Sequence, residues 1–247
     1  PFKDAGIKAG VPPSITMPDD HPPGYYMDDP LPDRTAYLTF DDGPADWTGD
    51  ILTILKDEDV KATFFICGNW EYYAGGPKDD FLKYRDVLVR MAREGHVIGN
   101  HTLNHYNLAN LGPEKIGPEL DGNQDIFNGA TGLDYRMTLM RPPHGSPWRQ
   151  PSPADVCARV GREVRRKAVV CMWTRHFDSG DSMGWVRGEW YEKGPRIYEG
   201  GEEFRDKMRR IYNRLMERAD GRGLVILMHD THPTTRDILP AVIDNLK

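Results

Sequence analysis

The sequence predicts an α/β fold in which parallel strands alternate with helices, most simply a (β/α) barrel. Apolar, β-rich runs alternate with amphipathic stretches from Thr35 onwards. The run 168–173 is apolar without alternation, which is typical of a strand that is covered on both faces. Repeated strand–helix units of this length favour a parallel sheet over separate layers of strands and helices.

The predicted elements follow one another along the chain as strand and then helix. Strands are expected at 35–40, 62–66, 96–99, 137–141, 168–173 and 224–228. Helices, whose apolar residues recur at helical spacing, are expected at 47–55, 81–91, 113–127, 154–167, 202–218 and 236–246. Together these elements define one folded domain, 35–247.

Two stretches lie outside this rhythm. Residues 1–34 hold 8 of the 20 prolines, so we expect a proline-rich extended N-terminal segment lying against the domain. Residues 178–201 are rich in glycine and aromatic residues, and they are expected to form a long loop that faces a ligand. The aromatic residues of that loop are Trp185, Trp190, Tyr191 and Tyr198.

Composition narrows the function classes. The 247 residues carry 32 Lys+Arg and 38 Asp+Glu, a net charge of −6, which disfavours binding to nucleic-acid phosphates. No apolar run is long enough to predict a membrane span.

Cys67, Cys157 and Cys171 show no C-x-x-C spacing, so we predict buried free thiols, with a Cys157–Cys171 disulfide as the open alternative. Because the chain opens on Pro1, we expect a mature form or fragment whose targeting segment has been removed.

Unusual polar residues follow the predicted strands, at the face where parallel barrels carry their reactive groups. Asp41 and Asp42 end the first strand before a Gly-Pro turn, although such a sequence alone is ordinary turn chemistry. His101 and His105 follow the third strand. On one helical turn their imidazoles would point the same way, as two ligands of one metal ion require; two surface histidines are the alternative. With a carboxylate from another strand, the pair would complete a His₂Asp shell.

Two further strand ends carry basic residues. Arg141 and His144 flank two prolines, which remove backbone donors and leave the His144 N–H among the first available to point into a site. The alternative is a rigid turn with an exposed arginine. His229 directly follows the last apolar strand, where a single histidine is more often structural than catalytic.

These motifs, in this order, resemble those of the NodB-homology polysaccharide deacetylases, carbohydrate esterase family 4. The segments TFDDGP (39–44), H-x-x-x-H (101–105), R-x-P-x-G (141–145) and L-x-H (227–229) are similar to the family's first, second, third and fifth motifs. The resemblance covers roughly 35–247. It implies a distorted (β/α) barrel and the metal-dependent removal of acetyl groups from N-acetylglucosamine polymers or acetylated xylan.

The resemblance also implies a role for each matching residue. Asp42, His101 and His105 would hold the metal, while Asp41 would stay free of it as general base and Arg141 would orient that base. Four further matches concern the substrate and the leaving group. His144 would contribute its N–H to the oxyanion, Leu227 would form a wall of the acetyl-methyl pocket, His229 would be the general acid and Asp181 would tune it.

The sequence also departs from the family pattern. His144 stands where the third motif usually has tyrosine, and Ser182 stands where the fourth motif, D-x-x-D-W, has tryptophan. The assignment of that motif between Asp178 and Asp181 stays open, as does a purely solvating role for both, and Trp185 or Trp190 is a candidate for the missing ring. His176 is expected at the surface. His232 is expected in the turn into the last helix, with Thr234 or Thr235 as its N-cap.

The sequence therefore predicts a hydrolase that removes N-acetyl groups from N-acetylglucosamine residues, with peptidoglycan as the first substrate and chitin as the second. One divalent ion is expected, zinc first and cobalt or nickel as alternatives. A secreted, periplasmic or envelope-facing location follows from that substrate. Two alternatives stay open, namely an acetylxylan O-acetyl esterase and a non-catalytic glycan-binding relative, and the oligomeric state is not set.

Overall fold

The protein is described by a computed structural model that covers residues 7–8, 22–27, 29–69, 80–149, 151–182 and 201–247. The aromatic residues Trp185, Trp190, Tyr191 and Tyr198 lie outside the described residues, as does most of 1–34. The interpretations placed on them therefore stay predictions.

The strands lie in one sheet in which every pair is parallel. They are β1 (Ile7–Lys8), β2 (Gly24–Tyr25), β3 (Ala36–Asp41), β4 (Thr63–Ile66), β5 (Val97–Asn100), β6 (Leu139–Met140), β7 (Val169–Cys171) and β8 (Leu224–His229). The path runs β3-β4-β5-β6-β7-β2, with β8 on the other edge of β3. Each strand predicted from the sequence is present, within a few residues of its expected bounds.

The sheet curls until its two ends meet. The chain that leaves β7 runs beside β8, where the Ser179 N–H donates to the Leu227 carbonyl and the Leu227 N–H donates to the Phe177 carbonyl, both at 2.9 Å. Asp178 and Leu227 form a parallel bridge. The distorted (β/α) barrel that the sequence predicts is therefore confirmed.

Helices connect the strands on the outside of the barrel. They are α1 (Thr48–Asp57), α2 (Asp80–Lys83), α3 (Arg85–Arg93), α4 (Pro113–Thr131), α5 (Ala154–Arg165), α6 (Glu202–Met216) and α7 (Pro233–Leu246). The single helix expected at 81–91 is thus two, α2 and α3, which meet at Tyr84. None of the described helices is both long and apolar enough to cross a membrane.

The last helix begins earlier than predicted. Proline suits the first helical position because its φ is already helical, and Pro233 takes that position in α7. His232 is the N-cap residue, and its carbonyl accepts the N–H of Thr235 at 3.1 Å. The expectation that Thr234 or Thr235 caps the helix is therefore wrong, while the place of His232 in the turn is confirmed.

Alternate residues of the strands pack into two different buried regions, one between the sheet and the helices and one inside the barrel. On β3, Leu38 and Phe40 pack in the layer between the sheet and the helices, where Phe40 stacks on Phe64 at 5.0 Å between ring centroids. Thr39 and Asp41 contact the Arg141 side chain, which is fully buried. This polar interior leads directly to the carboxyl ends of the strands. The three cysteines are buried and form no disulfide, so the alternative of a Cys157–Cys171 disulfide is wrong.

His96 makes the stability of the fold depend on pH. Burial, and then the nearby Lys61, lower its pKa to about 4, and its Nδ1 accepts the Ala62 N–H at 3.1 Å. The unfolded chain binds a proton below about pH 6.5, whereas the folded protein does not until about pH 4. The contribution of neutral His96 to the free energy of unfolding is therefore complete above pH 6.5. It is lost as pH falls towards 4, at up to about 1.4 kcal/mol per pH unit.

We expect the His96→Asn protein to lose less stability than the parent between pH 7 and pH 4.5. Asparagine places an acceptor near the position of Nδ1 but does not titrate. Urea unfolding of the metal-free proteins at several pH values measures the difference. Parallel pH profiles for the two proteins would contradict the assignment.

Candidate active site

The sheet brings the predicted motifs together at one end of the barrel. Asp41 ends β3 and is paired in register with His229, which ends the neighbouring strand β8. His101 and Arg141 directly follow β5 and β6, and the Arg141 N–H donates to the Asn100 carbonyl at 3.0 Å. The prediction that these residues lie at the carboxyl face is confirmed by the topology.

Asp42, His101 and His105 form a compact group of potential metal ligands. Oδ1 of Asp42 lies 3.2 Å from Nε2 of His101 and 3.0 Å from Nε2 of His105. One ligand atom from each residue lies within 4.8 Å of the others, and all three residues are largely buried. Histidine nitrogens and carboxylate oxygens are ligands that zinc and similar divalent ions accept.

The hydrogen bonding at this group fits a cation. Despite its short distances to two imidazoles, the buried Oδ1 of Asp42 accepts no hydrogen bond within the described residues. Nδ1 of His101 lies 2.7 Å from the Arg141 carbonyl, so Nδ1 carries the proton and Nε2 presents a lone pair towards Asp42. Ligand atoms about 2.0–2.2 Å from one ion are separated by roughly the spacing seen here.

The backbone of the H-x-x-x-H segment differs from the predicted helical turn. Residues 101–105 are not helical, and Thr102 and His105 adopt left-handed backbone conformations, with φ of 69° and 56°. Two side chains hold this shape: Asn100 Oδ1 accepts the Thr102 N–H at 2.9 Å, and Thr102 Oγ1 accepts the His105 N–H at 3.1 Å. The convergence of the two imidazoles therefore depends on a specific loop and not on helical periodicity.

Glu119 fixes the middle of the same loop from helix α4. Its two carboxylate oxygens accept the backbone N–H and the side-chain amide of Asn104, at 2.9 and 2.7 Å, and its carbonyl accepts the Leu103 N–H. Glu119 is 7% exposed. Sequence analysis missed this residue, because the same buried helix face also carries the polar Asn123 and Thr131, so Glu119 does not stand out in the pattern.

The loop of Asp42 is held in turn by Asp230, which the sequence analysis also missed. Asp230 accepts the Thr48 hydroxyl at 2.5 Å, and Thr48 itself accepts the Ala45 N–H at 2.8 Å. A β-carbon on Gly43 would lie 2.1 Å from the Asp230 carboxylate, so this close approach requires glycine. Burial raises the pKa of Asp230 to about 7, and the nearby Asp42 adds to that rise while Thr48 opposes it.

Asp41 lies beside the three potential ligands but is held away from them by Arg141. Nη1 of Arg141 donates to Asp41 Oδ1 at 2.7 Å and to Thr39 Oγ1 at 2.8 Å. Asp41 Oδ2 lies 3.8 Å from Nε2 of His101, farther than Asp42 Oδ1 lies from either imidazole. The arginine is completely buried, so the alternative of an exposed arginine in a rigid turn is wrong.

Asp181, and not Asp178, lies against His229. Asp181 Oδ1 is 2.7 Å from Nδ1 of His229, and Oδ2 accepts the His229 N–H at 2.7 Å. Burial opposes the charged form of His229, but the carboxylates of Asp181, Asp42 and Asp41 raise its pKa to about 10. Asp178 instead accepts the Gly180 N–H at 2.9 Å and faces the Arg149 guanidinium at 3.5 Å.

Of the other predicted residues, His144 contacts the ligand group directly. His144 has a left-handed backbone with φ of 60°, and its exposed ring meets the ring of His105 edge-on at 4.8 Å between centroids. Leu227 is buried in β8, two residues before His229. His176 is exposed, as expected. Nε2 of His229 lies 3.9 Å from Asp42 Oδ2, so a basic group borders the ligand group on this side.

Comparison with known proteins agrees with this geometry. A family model described as "Polysaccharide deacetylase" matches residues 28–162. The chain is 31% identical over 221 residues to the peptidoglycan-N-acetylglucosamine deacetylase of Bacillus cereus, covering 87% of this chain and 66% of that protein. It is 37% identical over 129 residues to the chitin deacetylase of Arthroderma benhamiae, covering 52% of this chain and 32% of that protein.

A solved structure shares the fold. The polysaccharide deacetylase Bc1974 from Bacillus cereus superimposes with a TM-score of 0.59 at 30% identity, covering 85% of this chain and 86% of that chain. The chain spans just under two thirds of the length of the Bacillus cereus peptidoglycan-N-acetylglucosamine deacetylase. The family match extends over more than half of the chain and includes three of the four motifs in full. The chain therefore belongs to the NodB-homology polysaccharide deacetylase family.

Proposed function

We propose that this chain is a metal-dependent hydrolase that removes N-acetyl groups from N-acetylglucosamine residues of a polysaccharide, with peptidoglycan as the first substrate and chitin as the second. One observation carries the proposal. Two adjacent carboxylates have separate partners, because Asp42 faces two imidazoles while Asp41 is paired with a buried guanidinium. A hydrolase that needs both a ligand and a free base requires this division.

Asp42, His101 and His105 would hold the ion, with zinc as the proposed metal and cobalt or nickel as ions that the same donor set accepts. When bound, a divalent cation supplies a Lewis acid that activates water and polarises a carbonyl. Asp41 is then the base that removes a proton from the attacking water. Arg141 orients this carboxylate and leaves Oδ2 to receive the proton.

The remaining residues act on the substrate. His144 donates its backbone N–H to the oxygen on which charge develops when water adds to the acetyl carbon. His229, protonated and held by Asp181, gives its Nε2 proton to the leaving nitrogen as the carbon–nitrogen bond breaks. The products are acetate and a free amine. Leu227 forms a wall of the pocket for the acetyl methyl group.

Two relatives support the choice of polymer. One is named for peptidoglycan N-acetylglucosamine and the other for chitin, and both names specify an N-acetylated glucosamine polymer. Because such polymers lie outside the cell membrane, we propose a secreted, periplasmic or envelope-facing enzyme.

Acetate release by the metal-stripped protein tests the proposal. We expect no release without metal and recovery with added zinc or cobalt, assayed in parallel on peptidoglycan, chito-oligosaccharide and acetylxylan. Release from acetylxylan alone would replace the proposal with an O-acetyl esterase. Saturable glycan binding without release from any substrate would replace it with a non-catalytic binding protein.

A matched pair of histidine variants tests the metal site itself. His105 and His176 both have left-handed backbones, a conformation that asparagine tolerates. We expect His105→Asn to weaken cobalt binding by at least the roughly 10- to 100-fold that loss of a ligand's hydrogen-bond partner costs, and His176→Asn to leave it unchanged. Spectroscopic cobalt titration measures both, and equal affinities in the two variants would contradict the ligand assignment.

A further inference from the structure

The carboxylate that holds His229 receives a hydroxyl from the last helix. Thr235 Oγ1 donates to Asp181 Oδ2 at 2.7 Å, and Oδ2 also accepts the His229 backbone N–H at 2.7 Å. The other oxygen, Oδ1, faces the His229 ring. Thr235 therefore contacts the pair without touching the substrate side of the imidazole.

Asp181 needs such a partner because its own segment is irregular. It follows the short β7 through coil and turn, and its side chain is completely buried. Besides the two contacts to His229 itself, Oδ1 accepts the N–H of Ser182 at 2.9 Å, but Ser182 belongs to the same irregular segment. The Thr235 hydroxyl comes from the first turn of α7, a regular helix that packs against α6 and α1.

The neighbouring threonine shows that this contact is specific. Thr234 and Thr235 are both completely buried in the first turn of α7. The hydroxyl of Thr234 has no hydrogen-bond partner within the described residues, whereas that of Thr235 reaches Asp181. Neither caps the helix, so the Thr235 hydroxyl is not explained by helix formation.

We infer that Thr235 is a positioning residue for general-acid catalysis, acting through Asp181 to hold the His229 imidazole in the orientation that protonates the leaving group. The inference rests on the proposed function. Hydrogen-bond partners that orient the ligands of metal sites typically contribute about 10- to 100-fold to activity, and we expect an effect of that size for a partner that orients a general acid. Ground-state binding of the polysaccharide does not involve Thr235, so its loss should appear in kcat and not in KM.

The kinetic test compares Thr235→Val, Thr235→Ser and Thr234→Val in the zinc-loaded protein. Valine keeps the shape of threonine but lacks the hydroxyl, and serine keeps the hydroxyl. We expect Thr235→Val to lower kcat by about 10- to 100-fold at unchanged KM, while Thr235→Ser and Thr234→Val stay within about threefold of the parent. Thr235→Ala replaces the valine variant if that protein does not fold.

A second readout does not depend on the substrate. In the parent labelled with ¹⁵N-histidine, we expect a slowly exchanging downfield Nδ1–H signal from His229, assigned by its loss in His229→Gln. The signal should disappear or exchange faster in Thr235→Val only. A valine variant with the parent's kcat and signal would overturn the inference, as would equal losses in Thr235→Ser. If the parent releases no acetate, the proposed function fails and the NMR signal alone decides.

Discussion

The Asp41→Asn protein is expected to keep its metal ion and to release acetate about 10³-fold more slowly than the parent, within the range measured for removal of a general base. Asparagine has the same shape as aspartate, and its Oδ1 still accepts from Arg141, so the barrel interior stays filled. What is lost is the basicity of Oδ2, the oxygen that is left to receive a proton.

The neighbouring Asp42 supplies the contrasting variant. Its Oδ1 faces both imidazoles, so Asp42→Asn should lose cobalt affinity and, through it, activity. Asp41→Asn should bind cobalt as the parent does, because Asp41 is not one of the three potential ligands. Asp86→Asn is the control, because the Asp86 side chain is 95% exposed. This variant should keep the parent's cobalt affinity and activity.

Acetate release and cobalt titration on the same preparations separate the two roles. Parental activity in Asp41→Asn would remove Asp41 from the mechanism. Loss of cobalt in that variant would instead make Asp41 a ligand. Either outcome would also undo the division of the two carboxylates on which the proposed function depends.

The predicted strand ends were correct for a physical reason. Periodicity locates each strand, and parallel strands place their carboxyl ends at one face, so Asp41, His101, Arg141 and His229 had to meet there once the sheet was parallel. The four motifs then indicated a metal-dependent deacetylase. Local signals were sufficient for these four residues because each ends or directly follows a strand that the sequence itself defines.

The residues that sequence analysis missed act across long separations. Glu119 fixes a loop that begins 18 residues before it, and Asp230 meets Thr48 from the far end of the chain. Such contacts leave no periodic pattern. The sequence favours Thr234 or Thr235 as a helix cap because threonine is a preferred N-cap residue, yet the Thr235 hydroxyl donates to Asp181.

The largest stability effect is expected at Arg141. Its guanidinium is completely buried, pairs with Asp41, and donates to the carbonyls of Cys171 and Met172 at 2.8 and 3.1 Å. It also lies 4.3 Å above the Phe65 ring. Arg141→Met would leave a buried carboxylate without its counter-charge, a change that typically costs about 3–5 kcal/mol of unfolding free energy.

Arg149→Met is the matched control, because Arg149 also lies over an aromatic ring and faces a carboxylate, but its side chain is 39% exposed. Arg149→Met should lower the free energy of unfolding by no more than about 1 kcal/mol. Urea unfolding of both variants measures the difference, and a similar cost for the two would show that burial of the Arg141 charge contributes little.

The double variant decides whether the cost belongs to the charge pair. If it does, Arg141→Met should lower the free energy of unfolding by less in the Asp41→Asn protein than in the parent. In that background no buried carboxylate is left without a counter-charge. An equal loss of unfolding free energy in both backgrounds would show that the loss comes instead from the hydrogen bonds that Arg141 donates to the carbonyls of Cys171 and Met172. The same guanidinium orients the base and fills the barrel interior, so substitution of Arg141 removes activity and stability together. Substitution of Asp41 by asparagine in turn leaves the buried guanidinium without its counter-charge, so we expect it to lower the free energy of unfolding as well, and urea unfolding of that single variant completes the cycle.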